Sequence, residues 1–192
     1  SFKFPGCSNS KQSQTITFNS TAPGSATFGG TAYTVLASSS SGLAVTLTID
    51  ASSTTVCSLS GNTSGSQVSF IGVGTCTIDA NQSGNGTYNP APQKQQSFAV
   101  GKASQTIGFT STAPANAVFG GTYIVTATAT SGLAVTLTID ASATSVCSLD
   151  GSSSGSHASF IGVGTCKINA NQAGNGNYSA AVQQQQSFAA KH

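Results

Sequence analysis

The sequence predicts an all-β chain of two tandem antiparallel β-sandwiches, and three observations carry that expectation. The first is duplication. Lys11-Gln-Ser-Gln-Thr-Ile and Lys102-Ala-Ser-Gln-Thr-Ile open two copies that align almost to the end. Leu43 to Ser52 recurs unchanged as Leu133 to Ser142, and Phe70 to Cys76 as Phe160 to Cys166. Only Ala32 lacks a counterpart, falling between Thr122 and Tyr123. The copies agree at roughly two-thirds of positions with a period of about 90 residues, too long for a solenoid unit and right for a whole small domain. The second observation is that apolar residues alternate with period two rather than 3.6. The third is a turn signal every few residues with no helical pattern between them. The expected domains are residues 11–101 and 102–192, with 1–10 as an N-terminal arm or linker.

In the first copy, Thr15-Ile-Thr-Phe18 forms the opening strand, closed by the turn cluster Ser20-Thr-Ala-Pro-Gly24. Ala26-Thr-Phe28 follows, and Gly29-Gly30 turns the chain with positive φ. Tyr33 to Ala37 is the next strand. In the second copy Tyr123, Val125, Ala127 and Ala129 alternate against Ile124, Thr126, Thr128 and Thr130. Ser41-Gly42 turns into Leu43–Ile49, where Leu43, Val45, Leu47 and Ile49 share a face, and Asp50-Ala-Ser ends it with an Asx-type turn. Val56–Leu59 and Val68–Ile71 make a hairpin across a Gly/Ser/Asn loop. Gly74–Ala80 and Gln93–Val100 are the last strands, separated by an Asn-Gln-Ser-Gly-Asn-Gly loop.

Composition narrows function. Charged residues are 5% of the chain, six Lys against four Asp with no Arg or Glu, for a net charge of +2. A nucleic-acid interface needs clustered basic side chains, and a membrane-surface helix a basic amphipathic stretch; neither pattern is present. No apolar run reaches transmembrane length. The hydroxyl- and amide-rich surface is common on secreted and cell-surface repeat proteins. Ser1 is read as a processed start from which any targeting segment has been removed. Lys191 falls where a third copy would begin, as Lys102 does for the second, so a piece of a longer array is expected.

The five cysteines divide as one pair per copy plus Cys7. Cys57 with Cys76, and Cys147 with Cys166, read best as one disulfide per domain in an oxidising compartment. Each would stabilise its domain by roughly 3 kcal/mol. Free buried thiols are one alternative. Zinc is the other, but it usually takes close C-x-x-C pairs, which are absent. Cys7, the odd one out, is placed for an intermolecular disulfide.

Ser145-Val-Cys-Ser-Leu-Asp-Gly151 followed by Phe160-Ile-Gly-Val-Gly-Thr-Cys-Lys-Ile-Asn-Ala170 resembles the bacterial immunoglobulin-like (Big) domains, with their strand hairpin and Gly-Thr-x-Thr-Ile strand. Gly120-Gly-Thr-Tyr-Ile-Val-Thr-Ala127 and the Asn171-Gln-Ala-Gly-Asn175 loop are similar to repeats of long secreted bacterial proteins. The resemblance covers both copies. It implies Ig-like sandwiches, an extracellular setting, and stalk, adhesin or accessory-module roles. Antibody domains space their cysteines more widely and pack a Trp on the bridge, so this bridge need not join the same strands.

Catalysis has little to work with. Of Asp50, Asp79, Asp140 and Asp150 only the Asp50/Asp140 position recurs, both copies reading it as a turn cap, and no enzyme and no cofactor are expected. Calcium would want several carboxylates. Asp79, Asn81 and Asn85 offer one, and Asp79 becomes Asn169 in the second copy. Lys11, Lys102 and the Gln93–Gln96 stretch lack the buried acid that an internal cross-link needs. Threonine rows such as Thr126, Thr128 and Thr130 suit the solvent face of any strand. A ligand would sit at the loop of Asn81, Asn85 and Tyr88 and its copy Asn171, Asn175 and Tyr178, whose tyrosines are the best exposed aromatic candidates.

The expected function is therefore a structural stalk of an extracellular bacterial surface or adhesin-type protein. The short Ala99-Val-Gly-Lys102 junction restricts motion between domains, and neighbouring repeats of the chain are the partners. The alternatives are a module binding glycans or another surface, and a self-assembling fibre subunit linked through Cys7.

Overall fold

The computed structural model describes residues 10–192, which form two compact units dividing between Lys102 and Ala103. Cys7 lies outside the described residues.

In the first unit the strands are β1 (Ile16–Phe18), β2 (Ala26–Thr27), β3 (Tyr33–Thr34), β4 (Ala37–Ser39), β5 (Thr46–Ile49), β6 (Cys57–Leu59), β7 (Gln67–Phe70), β8 (Gly74–Asn81) and β9 (Lys94–Gly101). The second unit repeats the set as β10 (Ile107–Phe109), β11 (Ala117–Val118), β12 (Thr122–Val125), β13 (Ala127–Ala129), β14 (Thr136–Ile139), β15 (Cys147–Leu149), β16 (Ser156–Phe160), β17 (Gly164–Asn171) and β18 (Gln184–Lys191).

One sheet runs β2-β9-β8-β5, with β2 parallel to β9 and the other pairs antiparallel. The other runs β1-β4 and β3-β7-β6. β3 and β4 are successive stretches of one strand. Val35 N–H donates to Ser66 C=O toward β7, while Leu36 C=O accepts from Asn19 N–H toward β1. The opening segment is thus shared between sheets, β1 in one and β2 in the other. In immunoglobulin lettering this is ABED facing A′GFC, and each unit is an immunoglobulin-like β-sandwich. The second unit has the same pairing: β11-β18-β17-β14 opposite β10-β13 and β12-β16-β15.

The alternation in sequence sets the core. Val35, Leu47, Val68, Ile78 and Val100 are buried in the first unit, and Val125, Leu137, Ala158, Ile168 and Ala190 in the second. Burying each Val, Leu or Ile contributes roughly 1.5–3 kcal/mol. Aromatic rings close one flank, Phe98 meeting Tyr33 and Phe70 edge-on at 5.7 and 5.8 Å. Phe188 meets Tyr123 and Phe160 the same way. Gly29 and Gly120 turn with φ +64° and +81°, a region that costs a side chain energy.

A disulfide joins the two sheets of each unit, Cys57 of β6 to Cys76 of β8, and Cys147 of β15 to Cys166 of β17. All four cysteines are buried. The bridge links strands D and F, whereas antibody domains link B and F.

Candidate functional site

The Asn/Gly loop between the last two strands of each unit is anchored by a buried glutamine just ahead of the first strand. Gln14 is buried, and its amide Nε2 donates to Gln82 Oε1 at 2.6 Å and to Asn89 C=O at 2.7 Å. Its Oε1 accepts from Ser41 Oγ at 2.5 Å. Gln82 Oε1 also accepts from Gly84 N–H at 2.5 Å. In the second unit Gln105 donates to Gln172 Oε1 and Ser179 C=O, both at 2.7 Å, and Ser131 Oγ donates to Gln105 at 2.5 Å. A buried polar side chain is tolerated only with its hydrogen bonds made, and these are.

Within the loop, Asn85 Oδ1 accepts from Thr87 and Tyr88 N–H at 2.8 and 2.9 Å, an Asx turn. Asn175 does the same with Asn177 and Tyr178. Gly84 is required: it has φ +74°, and a Cβ there would lie 2.4 Å from Tyr88 C=O. The loop's far side is stitched to the segment before β1, where Gln12 N–H donates to Thr87 C=O and Asn89 N–H to Gln12 C=O, both at 2.8 Å. The sequence places Asn81, Asn85 and Tyr88 together as a ligand loop. Asn81 instead closes β8 opposite Thr46, and Asn85 shapes the turn. Tyr88 and Tyr178 are half-buried rather than fully exposed. Asn171 likewise closes β17 opposite Thr136.

Gln14 and Gln105 are the structural residues that sequence reading passes over, because a glutamine beside a first strand reads as solvated. The Ser-Gln-Thr-Ile stretch, identical in both copies, was the available signal.

The carboxylates are dispersed. Asp50 and Asp140 cap the short 3₁₀ turns Ala51–Ser53 and Ala141–Ala143, as their Asx reading implies. The Ser142 hydroxyl and N–H, then the Asn169 amide, and weakly Lys167, hold Asp140 down to a pKa of about 2. Asp50 is lowered by the Ser52 hydroxyl and N–H. Asp150 is lowered chiefly by the His157 N–H at 2.7 Å, and its Oδ2 meets His157 Nδ1 at 3.0 Å on the exposed face of the β15–β16 hairpin. Asp79, buried, accepts from Gln95 Nε2 at 2.7 Å. Among the described residues no group of three or more His, Cys, Asp or Glu is gathered to hold a metal ion.

No family model matches the chain, and no curated protein matches it. Solved structures similar to it include mouse cadherin-23 EC22-24, at 14% identity over 92% of this chain and 65% of that one, with a TM-score of 0.39. Domains 4 and 5 of the S-layer protein SbsC align at 13% identity over 93% and 98% of the two chains, TM-score 0.35. The D00-D0 domain of intimin aligns at 14% over 92% and 96%, TM-score 0.34. Scores this low carry no functional weight.

Proposed function

We propose that the chain is a pair of structural immunoglobulin-like repeats of an extracellular surface protein, residues 11–101 and 102–192, that space or present another module. The observation that carries this reading is duplication of a self-contained sandwich, each with its own intersheet disulfide and with loop polar groups bonded inward. An enzyme would need a convergent set of titratable groups, and the carboxylates of these sandwiches serve turns and hairpins instead. Two buried disulfides support an oxidising, extracellular setting.

Stretching the intact chain from its ends tests the reading. Two separate unfolding events are expected. Reduction should lengthen each by about 60 Å, because a bridge of sequence separation 19 hides that many residues at roughly 3.4 Å apiece, less the 5.7 Å that already separates the bridged Cα atoms. A glycan array probed with the same chain should show no binding. Binding abolished by Tyr88→Ala and Tyr178→Ala would replace the spacer with a ligand module.

A further inference from the structure

The second unit carries a cleft of about 410 Å³ along β13, walled by Ala127, Ala129, Leu133 and Val135 and rimmed by Ser153 and Ser154. β13 gives its even-numbered peptide groups to β10: Thr110 N–H donates to Thr126 C=O and Thr130 N–H to Thr106 C=O, around the Gly108–Thr128 pair. Residues 127 and 129 therefore point their peptide groups the other way, where β16 has already left. Gly155, at φ +102°, turns the chain aside after its N–H meets Val125 C=O, so pairing with β12 ends at Ser156. Of the four groups on this side, Ala127 N–H is taken by Ser154 Oγ at 2.9 Å and Ala129 C=O by Gly132 N–H at 2.9 Å. Ala127 C=O and Ala129 N–H make no hydrogen bond with protein groups among the described residues.

An acceptor and a donor flanking Thr128 and facing one way are what one residue of an added strand requires for its own N–H and C=O. Ala127 and Ala129 are only 3% and 8% exposed, so these groups lie recessed and only a slender occupant could meet them. We infer that this cleft is a strand-addition site for an extended, uncharged peptide segment with small side chains. The choice of an uncharged occupant follows from complementarity. No ionisable side chain lines the cleft, so a charged segment would lose hydration there without a partner.

The first unit supplies an internal contrast. At the position of Ala129 it has Ser39, whose hydroxyl donates to Leu43 C=O at 2.7 Å and meets Ser41 Oγ at 3.0 Å. That hydroxyl satisfies the carbonyl equivalent to Leu133 C=O. Alanine at 129 lacks that hydroxyl, and Leu133 C=O makes no hydrogen bond with protein groups among the described residues, a third open group.

The test is an NMR titration of the isotope-labelled full chain with acetyl-Ser-Ala-Val-Ala-Thr-amide and with the same peptide N-methylated at each amide in turn. The expected result is a shift confined to the Ala129 amide and its neighbours Thr128, Gly132 and Ser154. N-methylation at one position should weaken binding by about three- to tenfold, the loss of one hydrogen bond. Ala129→Ser should weaken it similarly while the rest of the spectrum stays unchanged, and Ser39→Ala should open a second site in the first unit. The proposal fails if the peptide shifts none of these amides, if the N-methylated peptides bind equally well, or if Ala129→Ser has no effect. It also fails if a neutral oligosaccharide shifts them and the peptide does not.

Discussion

Gln14 reaches Gln82 across 68 residues of sequence, amide to amide at 2.6 Å, and so fastens the start of the first sandwich to the loop before its last strand. Gln105 and Gln172 make the same contact at 2.7 Å in the second. Gln14 and Gln105 are buried, Gln82 and Gln172 partly so, and each makes more than one hydrogen bond, so the pair is a clamp rather than a surface contact.

Gln14→Ala should therefore destabilise the first unit by about 1–3 kcal/mol, because Asn89 C=O loses its donor, Ser41 Oγ loses its acceptor, and Gln82 Oε1 keeps only the Gly84 N–H. Gln105→Ala should do the same to the second unit. Chemical denaturation read with a probe in each unit checks this, and amide exchange should quicken in residues 82–89 of the first variant. Unchanged exchange there would mean the loop holds itself.

The D–F disulfide closes a loop of sequence separation 19 between opposite sheets. Replacing both Cys57 and Cys76 by Ala should lower stability of the first unit by roughly 3 kcal/mol while leaving the second unit's transition in place. Calorimetry of the full chain would then show a low transition split from a high one. A single shifted transition would show the units unfolding together.

Gly162 packs its backbone against the neighbouring loop: a Cβ there would sit 2.2 Å from Ser145 C=O, and a Cβ on Gly72 would sit 2.3 Å from Thr55 C=O. Backbone on both sides leaves nothing flexible to yield. Gly162→Ala should cost about 1–3 kcal/mol by overpacking. Gly176→Ala, where a Cβ meets nothing within 4 Å, serves as the matched control. Equal melting temperatures for the two variants would refute the close approach.

Much of this architecture was legible because a two-residue period fixes which side chains face inward. Val45 and Leu47 are buried, and Thr46 and Thr48 between and beyond them are not, as the alternation requires. What the pattern does not encode is a strand's neighbours. Tyr33 to Ala37 reads as one uniform strand, yet its hydrogen bonds pass from β7 to β1 at Val35 and Leu36. Ala26-Thr27 likewise gives no hint that it leaves its sheet to run parallel to β9. Among the candidate ligand residues, loop position suggested exposure for Asn85 and Tyr88, and Asn85 is exposed. The local turn consumes Asn85 Oδ1, and the bridge to Gln12 holds Tyr88 half-buried. Polar side chains that bond backward to their own chain look the same in sequence as those that reach outward.

Asp140 gives the sharpest pH dependence. Its carboxylate is held at about 2 against an ordinary 3.8, first by the Ser142 hydroxyl at 2.7 Å and N–H at 3.0 Å, then by Asn169. A carboxyl whose pKa is lower folded than unfolded binds fewer protons in the native state. Its contribution is therefore complete above pH ~4 and lost as pH falls toward ~2. Asp50 is lowered in the same direction by Ser52, but the residue matching Asn169 is Asp79, a carboxylate rather than an amide donor. A carboxyl-carbon NMR titration of the intact chain should accordingly find Asp140 the last of the pair to protonate as acid is added. Ser142→Ala, which removes the largest of these hydrogen bonds, should move its midpoint up toward the ordinary value. Asp140→Asn should flatten the acid limb of the second unit's stability curve between pH 4 and 2 while leaving its slope near neutrality unchanged. An Asp140 midpoint that stays in place in Ser142→Ala would show that the cap hydrogen bond does not set it.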